Sequence, residues 1–452
     1  MSGAIRRGQV ESNMPPGRPR VLVFAYSAQP NRGSEPGGAW GVVMALAQVA
    51  DVTVLVKSEH VPAIRKWEEN ATYAESSGVT FVEIRPLVPR FLQKLHRITE
   101  FLTYLMWLGT ARRVGERMHL DAPFHLVHHV TYSAFWLPTP ATGFGIPSVW
   151  GPVGGGVRAP RGLWGSLGIM GLFDELLDWG AVGAASRLPG TRRTWSQATV
   201  RVVQNEETRQ ALLPGLREST HVLNSALLTT VNAPPVFDVE PVVVFPSALV
   251  SRKGPRIALA ALAHAPGVRL QFAHGGPEEE SLRKLADRLG VSDRVDFLGE
   301  IPRGELFERL SSASAALFAG VREEGGLALA EAMSLGTPVV VLSIGGAKRI
   351  CEAAVDATRV ALVDPGHWED VAQGLGRAMR DFVEQPRFKR TPNLDLHDAE
   401  GRLRRILEEA LGWPPKSLDV LARDRANLVA PPSPYTSKPN GPHPVAAATG
   451  GD

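Results

Sequence analysis

The sequence predicts an α/β fold of two doubly wound domains, each built on a parallel sheet, with one cleft between them. Its 452 residues are too many for one compact domain. Apolar runs of strand length alternate with segments of helical period, and this alternation pauses after residue 203 and resumes at 242. Because ligands bind beyond the carboxyl ends of parallel strands, two facing sheets predict a single interdomain site.

The first domain is predicted to span residues 19–230. β-Branched and apolar runs predict its buried strands, at 20–25, 52–56, 79–84, 126–130, 148–150 and 201–203. Helical segments are expected between these strands, at 39–49 and 91–118. A linker with Pro234 and Pro235 is predicted over 224–240.

The second domain is predicted to span residues 241–397. Its strand-like runs lie at 242–245, 269–273, 295–298, 315–318, 339–342 and 361–363. Amphipathic segments that predict helices separate them, at 256–264, 279–289 and 305–311. A closing helix is predicted over 398–412, and disordered tails over 1–18 and over the proline-rich 413–452.

Composition and charge exclude several classes of protein. Lys and Arg total 49 against 46 Asp and Glu, so the net charge of +3 does not favour a dedicated nucleic-acid binder. The single Cys351 excludes a disulfide framework and a multi-cysteine metal site. No apolar run reaches the ~20 residues of a membrane span, and the first residues do not resemble a signal peptide. A cytoplasmic protein is therefore expected.

The stretch 322–341 carries the most informative chemistry. Gly325 and Gly326 permit a tight turn after a predicted strand, and a helix is expected to begin near Leu327. The unpaired N–H groups at such a helix start attract an anion. Glu323 before the helix and Glu331 within it could grip two ends of an extended ligand through its hydroxyls. Taken alone, the two glutamates fit solvated surface residues equally well.

Two further candidate loops occur in the chain, one after the first strand of each domain. Arg252 and Lys253 stand at a helix start in the second domain, where Lys253 could reach a phosphate, although a solvated lysine is the simpler alternative. In the first domain, Gly33, Gly37 and Gly38 allow close approach of the backbone to a ligand. Their spacing does not fit the G-x-G-x-x-G pattern of dinucleotide sites.

In order and spacing, residues 242–382 resemble the retaining family four glycosyltransferases, also called glycosyl transferases group 1. The resemblance rests on Lys253-Gly254, Gly275-Gly276-Pro277, the run 295–299, the paired glutamates and the run 332–338. Segments 31–40, 125–132 and 150–156 resemble the amino-terminal signature of one branch and extend the match to 21–382. The resemblance implies the GT-B fold, in which two Rossmann-like domains face a cleft.

The resemblance also implies a role for each matching residue. Lys253, with Arg252 beside it, would bind the diphosphate of a nucleotide-sugar donor, and Glu331 would hold the ribose. Glu323 would contact the transferred sugar, with His129 as a further catalytic candidate. The remaining candidates would approach donor phosphate or sugar through their backbone: Gly37, Gly38, Gly325, Gly326 and Leu327. No metal ion and no cofactor besides the donor substrate are implied.

The sequence departs from the family pattern at several positions. Ala248 replaces the usual second diphosphate cation, and Ala319-Gly320 replaces the usual Pro-Ser. The family histidine falls ambiguously on His128, His129 or even Val130. An inactive homologue that binds sugar nucleotides, or acts as a scaffold, therefore stays an alternative to an active transferase. A related GT-B enzyme such as a sugar-nucleotide epimerase is another, whereas the lysine context of a phosphorylase is missing.

Two segments of the first domain combine aromatic, apolar and basic residues, at 90–117 and 164–179. Such segments suit a membrane surface and a lipid-linked acceptor. The alternative is a long core-facing helix with a solvated basic face. The predicted partners are thus a nucleotide sugar and an acceptor glycan or lipid-linked molecule, without nucleic acid, at the inner face of a membrane.

Overall fold

The first sheet is entirely parallel. The computed structural model describes residues 17–85, 96–132, 134–229, 231, 240–384 and 391–428. Within these residues seven strands form a sheet of order β3-β2-β1-β4-β5-β6-β7. They are β1 (Arg20–Ala25), β2 (Asp51–Lys57), β3 (Val79–Ile84), β4 (Leu126–Thr131), β5 (Ser148–Val153), β6 (Val200–Val203) and β7 (Thr220–Val222). All residues of β4 and β5 are buried, as expected for strands covered on both faces. Six of the seven strands were predicted, and the three-residue β7 was not.

Helices cover both faces of this sheet. They are α1 (Ser34–Ala47), α2 (Val61–Asn70), α3 (Tyr73–Ser76), α4 (His96–Asp121), α5 (Gly168–Ala185), α6 (Pro189–Gln197), α7 (Glu206–Ala211) and α8 (Pro214–Arg217). Helix α1 begins five residues before the predicted start at residue 39, so Gly37 and Gly38 lie inside its first turns. In α4, Tyr104 and Trp107 are buried in the core against Phe24 and Tyr26.

The second sheet is also parallel, with six described strands in the order β10-β9-β8-β11-β12-β13. They are β8 (Glu240–Phe245), β9 (Arg269–Phe272), β10 (Val295–Phe297), β11 (Ala313–Phe318), β12 (Val339–Leu342) and β13 (Val360–Val363). The helices around them are α9 (Pro255–Ala263), α10 (Glu279–Leu289), α11 (Arg303–Ser312), α12 (Leu327–Ser334), α13 (Gly346–Cys351) and α14 (Trp368–Glu384). All six strands predicted from the sequence are present.

The prediction of a disordered tail from residue 413 is wrong for residues 413–428, which are folded. After α15 (His397–Leu411), Gly412 adopts a φ of 67°, and the chain turns back into α16 (Ser417–Leu428). Leu418 is fully buried, and its N–H donates to the carboxylate of Glu408 at 2.8 Å. The sequence suggested a tail because proline-rich composition dominates the region after this helix. Residues 429–452 lie outside the described residues.

The predicted amino-terminal tail and linker are each shorter than expected. Arg18 donates to the carbonyls of Ala47, the last residue of α1, and of Ala50, so the folded chain begins before residue 19. Residues 1–16 lie outside the described residues. The first part of the predicted linker, the buried turn Ser225–Leu228, packs against α1. Position 230 and positions 232–239 are also outside the described residues.

One segment assigned to the first domain packs into the second. Val157, Leu163 and Leu167 are buried in the same core cluster as residues of β8, β9 and α14. The predicted boundary of 19–230 therefore does not separate the two cores, because residues 157–167 cross the cleft and lead into α5. None of the described helices combines the length and apolar content that a bilayer span requires.

Candidate active site

A carboxylate between a lysine and a helix start lies at the edge of the second sheet. The side chain of Lys253 follows β8, and its Nζ lies 2.5 Å from Oε2 of Glu323, which follows β11. The other oxygen of Glu323 accepts the N–H of Gly326 at 3.0 Å, just before α12. Both side chains are mostly buried. The structure thus joins three of the predicted site residues at the amino end of one helix.

Glycines make this arrangement possible. Gly254 adopts a φ of 70°, and a Cβ there would collide with the carbonyl of Ala319, directly after β11. Gly326 caps α12 with a φ of 73°, and a Cβ there would come within 2.7 Å of Ile350. The loops after β8 and β11 can therefore lie side by side, which brings Lys253 to Glu323.

Arg252 holds these loops together through its backbone. Its carbonyl accepts the N–H groups of Val321 and Arg322, at 3.0 and 3.3 Å. The Arg252 side chain is exposed, and no described hydrogen bond or ion pair directs it toward Lys253. The structure therefore gives Arg252 a main-chain role in the site and lends its predicted contact with a diphosphate no support.

Glu331 has a cationic partner that the sequence did not reveal. Glu331 lies in α12 and is 2% exposed, and Arg303 at the start of α11 forms an ion pair with its carboxylate. Burial raises the pKa of Glu331, and the Arg303 charge opposes this rise. The Arg303 guanidinium also lies over the Phe307 ring, 4.7 Å from its centroid. Only the fold could show this partner, because Arg303 and Glu331 stand on different helices.

The start of α1 closes the site from the first domain. A Cβ on Gly37 would lie 2.9 Å from Leu327 of α12, and a Cβ on Gly38 would lie 2.8 Å from Ser225. A Cβ on Gly33 would lie 3.4 Å from the guanidinium of Arg303. The glycines thus let α1 approach the second domain and the linker directly, with Gly33 and Gly37 next to α11 and α12.

The loop beside Glu323 is tied to the first domain by a buried carboxylate. Glu324 accepts the N–H of Val157 and the side-chain amide of Asn205, each at 3.0 Å. Burial raises the pKa of Glu324, while these hydrogen bonds act in the opposite direction. No local pattern in the sequence distinguished Glu324 from a solvated neighbour of Glu323.

The residue before Glu323 is tied to helix α5. Arg322 lies 3.0 Å from the carboxylate of Glu175 and 2.7 Å from that of Asp178. Glu175 also accepts the N–H of Ala159 at 3.1 Å. The loop from Arg322 to Gly326 is therefore held by α5 on one side and by Lys253 on the other.

His129 is buried away from these residues. It lies in β4, its Nε2 donates to the carbonyl of Thr131 at 2.8 Å, and burial lowers its pKa to about 3. Its neighbour His128 donates to the carbonyl of Gly151 at 2.6 Å, with a pKa lowered by burial to about 4. A buried ring whose Nε2 is already hydrogen-bonded to the main chain gives no support to a catalytic role for His129.

Ala248 is half-buried in the loop after β8, and its carbonyl accepts the N–H of Val250 at 2.8 Å. No second cation therefore stands at this position beside Lys253. Among the described residues, no group of three or more His, Cys, Asp or Glu side chains is arranged to hold a metal ion.

A family model matches the part of the chain that carries most of this site. Residues 231–391 match the model described as "Glycosyl transferases group 1". The match covers the second domain with Lys253, Glu323 and Glu331. The amino-terminal half of the chain lies outside it.

Curated relatives match over a similar length. A D-inositol 3-phosphate glycosyltransferase of Mycolicibacterium paratuberculosis is 37% identical over 143 residues, which are 30% of this chain and 32% of that protein. The enzyme of the same name from Mycolicibacterium smegmatis is 38% identical over 138 residues, 28% of this chain and 31% of that protein. The chain thus matches about a third of the length of these relatives.

Solved structures match nearly the whole chain at low sequence identity. TarM has a TM-score of 0.52 with 9% identity and covers 86% of this chain and 98% of its own. A sucrose-phosphate synthase from Thermosynechococcus elongatus has a TM-score of 0.50 with 16% identity, covering 87% of this chain and 100% of its own. At such identities the match establishes the architecture, which is the two-domain GT-B fold.

Proposed function

The second domain of this chain belongs to the glycosyl transferases group 1 family, and from that premise we propose that the protein is a retaining glycosyltransferase. It moves a sugar from a nucleotide-sugar donor to an acceptor hydroxyl. The observation that carries the proposal is the grouping of Lys253, Glu323 and the start of α12 at one edge of the second sheet.

This grouping suits a leaving diphosphate. The Lys253 ammonium has three donors, of which Glu323 occupies one, so two are left for phosphate oxygens. The amino end of α12 adds unpaired N–H groups and a partial positive charge. Fixed donors of this kind stabilise the negative charge that develops on the nucleotide as its bond to the sugar breaks.

The neighbouring residues suit the rest of the donor. Glu323 holds the Lys253 ammonium in position and can accept a hydroxyl of the transferred sugar. Glu331 lies about one turn into α12. Its carboxylate, which also pairs with Arg303, can accept the hydroxyls of a ribose. The start of α1, with Gly37, covers the same region from the first domain.

The overall reaction is balanced without an oxidant or reductant. The bond between the anomeric carbon and the phosphate oxygen breaks, and a new bond forms between that carbon and the acceptor oxygen. The nucleoside diphosphate leaves, and the proton of the acceptor hydroxyl is released. Retention at the anomeric carbon is part of the proposal and rests on the family resemblance.

The acceptor is an unidentified glycan or lipid-linked molecule, in exopolysaccharide or lipid-linked glycan synthesis. The inositol phosphate in the names of the curated relatives is not carried over, because the chain matches only about a third of the length of those proteins. A charged nucleotide sugar does not cross a bilayer unaided, so the proposal places the protein on the cytoplasmic side, peripheral to the membrane.

The test is donor turnover by the purified full-length chain. Nucleotide sugars that differ in base and sugar are incubated with glycan and lipid-linked acceptors, and both nucleoside diphosphate release and the acceptor mass are followed. We expect one donor to yield a product with retained anomeric configuration. Glu323→Gln should lower the rate about 10²-fold or more, because it frees Lys253 from its anchor.

Glu280→Gln is the matched control, since Glu280 pairs with Lys284 on the exposed face of α10. Donor binding without release of nucleoside diphosphate from any donor would favour the inactive sugar-nucleotide-binding homologue. The absence of binding to every nucleotide would overturn the proposal.

A further inference from the structure

Helix α5 turns its carboxylates Glu175 and Asp178 inward and most of its large apolar side chains outward. The carboxylates of Glu175 and Asp178 point at the protein, where they pair with Arg322. The opposite face carries large apolar side chains at helical spacing, all exposed: Ile169, Phe173, Leu176 and Leu177, with Met170 and Trp179 beside them. A surface helix normally shows the reverse arrangement.

The exposed fractions are large for such side chains. Ile169 is 89% exposed, Met170 72% and Trp179 66%. These residues lie within three turns of one helix, so they form a continuous patch, which we call the α5 patch. Contiguous apolar surface of this kind marks a site that binds another apolar surface.

The charges of the segment that carries the α5 patch indicate what covers it. Four arginines in 161–197 have exposed side chains: Arg161, Arg187, Arg192 and Arg193. Asp174 is the exposed carboxylate of the same segment. A second copy on a twofold axis would pair this surface with itself, so it would bring a further four arginines to the interface and few exposed carboxylates. A bilayer with anionic headgroups would neutralise the arginines instead.

The α5 patch lies close to the donor site. A Cβ on Gly171 would lie 2.5 Å from Ser251, which opens the turn that carries Lys253. Arg322, bound to the inner face of α5, directly precedes Glu323. Since a helix with its side chains is about 10–12 Å across, a surface that covers the patch ends near the cleft.

Within the described residues, the other aromatic and basic segment exposes fewer large apolar side chains, Phe101 at 42% and Leu105 at 36%. In α4, Tyr104 and Trp107 are fully buried in the core of the first domain. These two residues therefore fit the alternative interpretation of the segment, which is a core-facing helix.

We propose that the α5 patch docks the protein onto an anionic bilayer, which presents a lipid-linked acceptor to the cleft. The acceptor part rests on the proposed function, whereas the docking does not. Apolar side chains enter the headgroup region, and exposed arginines of the same segment bind lipid phosphates. The inner face of α5 then stands between the bilayer and the loop from Arg322 to Gly326.

The experiment measures flotation of the full-length chain with vesicles of phosphatidylcholine, with and without phosphatidylglycerol. The variant Phe173→Asp/Leu177→Asp should lower binding to the mixed vesicles about tenfold or more, because it places charge in the apolar face. Phe173→Gln/Leu177→Gln should lower it in the same direction. Arg192→Gln/Arg193→Gln should reduce only the part of the binding that depends on phosphatidylglycerol.

Leu120→Asp is the matched control, since Leu120 is equally apolar and exposed at the far end of α4. It should bind vesicles as the unmodified protein does. Nucleoside diphosphate affinity, measured on each variant, should be unchanged, which separates a failure of docking from a failure of the proposed function.

Three results would overturn the docking proposal. The unmodified chain could fail to float with phosphatidylglycerol vesicles. The α5 variants could float as well as the unmodified chain. Light scattering could show that the α5 variants convert a dimer into a monomer, which would assign the patch to a second copy.

Discussion

At the scale of single residues, Lys253 carries the prediction that tests the donor site most directly. Lys253→Ala should weaken nucleoside diphosphate binding by about 10- to 150-fold, because one charge-assisted contact contributes about 1.5–3 kcal/mol. The loss of affinity should be larger than in a relative with a second cation at this position, since Ala248 supplies none. Isothermal titration measures the affinity.

Lys284→Ala is the control, because Lys284 lies in the same domain and its ion pair with Glu280 is solvent-exposed. It should leave the affinity unchanged. Equal affinities in Lys253→Ala and the unmodified protein would place the phosphate site elsewhere.

Arg303 carries a second residue-scale prediction, on the nucleoside rather than the diphosphate. Arg303→Gln should weaken nucleoside diphosphate binding about tenfold and leave inorganic pyrophosphate binding unchanged, because in the proposed site the ribose, and not the diphosphate, binds Glu331. Without the cation, the pKa of Glu331 should rise further, so the variant should regain affinity as the pH is raised and the carboxylate ionises. Titrations of both ligands at several pH values measure this.

Arg309→Gln in the same helix α11 is the control, since Arg309 pairs with Glu305 on a half-exposed face. It should behave as the unmodified protein toward both ligands. A parallel loss of pyrophosphate binding in Arg303→Gln would show that Arg303 acts on the phosphates.

At the scale of elements, strand β4 should make the first domain sensitive to acid. Burial lowers the pKa of His128 to about 4 and that of His129 to about 3, whereas unfolded histidine titrates near 6.5. Below pH 6.5 the unfolded chain therefore binds more protons than the folded chain. The stability that the two neutral rings contribute is present above this pH. It is lost as the pH falls toward 4 for His128 and toward 3 for His129.

The prediction is a melting temperature that drops between pH 7 and pH 5, with a smaller drop in His129→Gln. Each buried histidine contributes a slope of up to about 1.4 kcal/mol per pH unit to the free energy of unfolding. His264→Gln, at an exposed position after α9, should keep the full drop. The same drop in His129→Gln would contradict a buried, neutral ring.

The central strands, such as β4, β5, β11 and β12, were predictable because they are buried on both faces, which leaves a short run of apolar residues in the sequence. The observed bounds of several strands differ from the predicted ones by one to three residues. In β8 they differ because the strand continues through a polar position, Glu240. Helix α16 was not predictable, because the contacts that hold it, such as Glu408 with Leu418, join two helices across a turn. Local composition there indicates only a tail.

At the scale of the whole molecule, Arg322 should couple α5 to the donor loop. Arg322→Gln would leave the buried carboxylate of Glu175 without its cation, so the inner face of α5 should separate more often from the loop. We expect faster amide hydrogen exchange in residues 168–185 and 321–326, measured by mass spectrometry.

Arg349→Gln is the control for this prediction, because Arg349 pairs with Glu352 on the surface of the second domain. Exchange in the two segments should stay unchanged in that variant. Unaltered exchange in Arg322→Gln would mean that Glu175 and Arg322 do not hold α5 in place.

The sequence by itself determined the architecture and the grouping of Lys253, Glu323 and the α12 start. These residues follow strands of one parallel sheet, and the carboxyl ends of such strands lie at the same edge, so spacing along the chain indicates proximity. Only the tertiary structure decided the partners of the site: Arg303 on Glu331, Asn205 on Glu324 and Glu175 on Arg322, which are 28, 119 and 147 residues apart. It also decided which face of α5 points outward. A pairing between distant segments leaves no periodic signal, because either partner alone resembles a solvated charge.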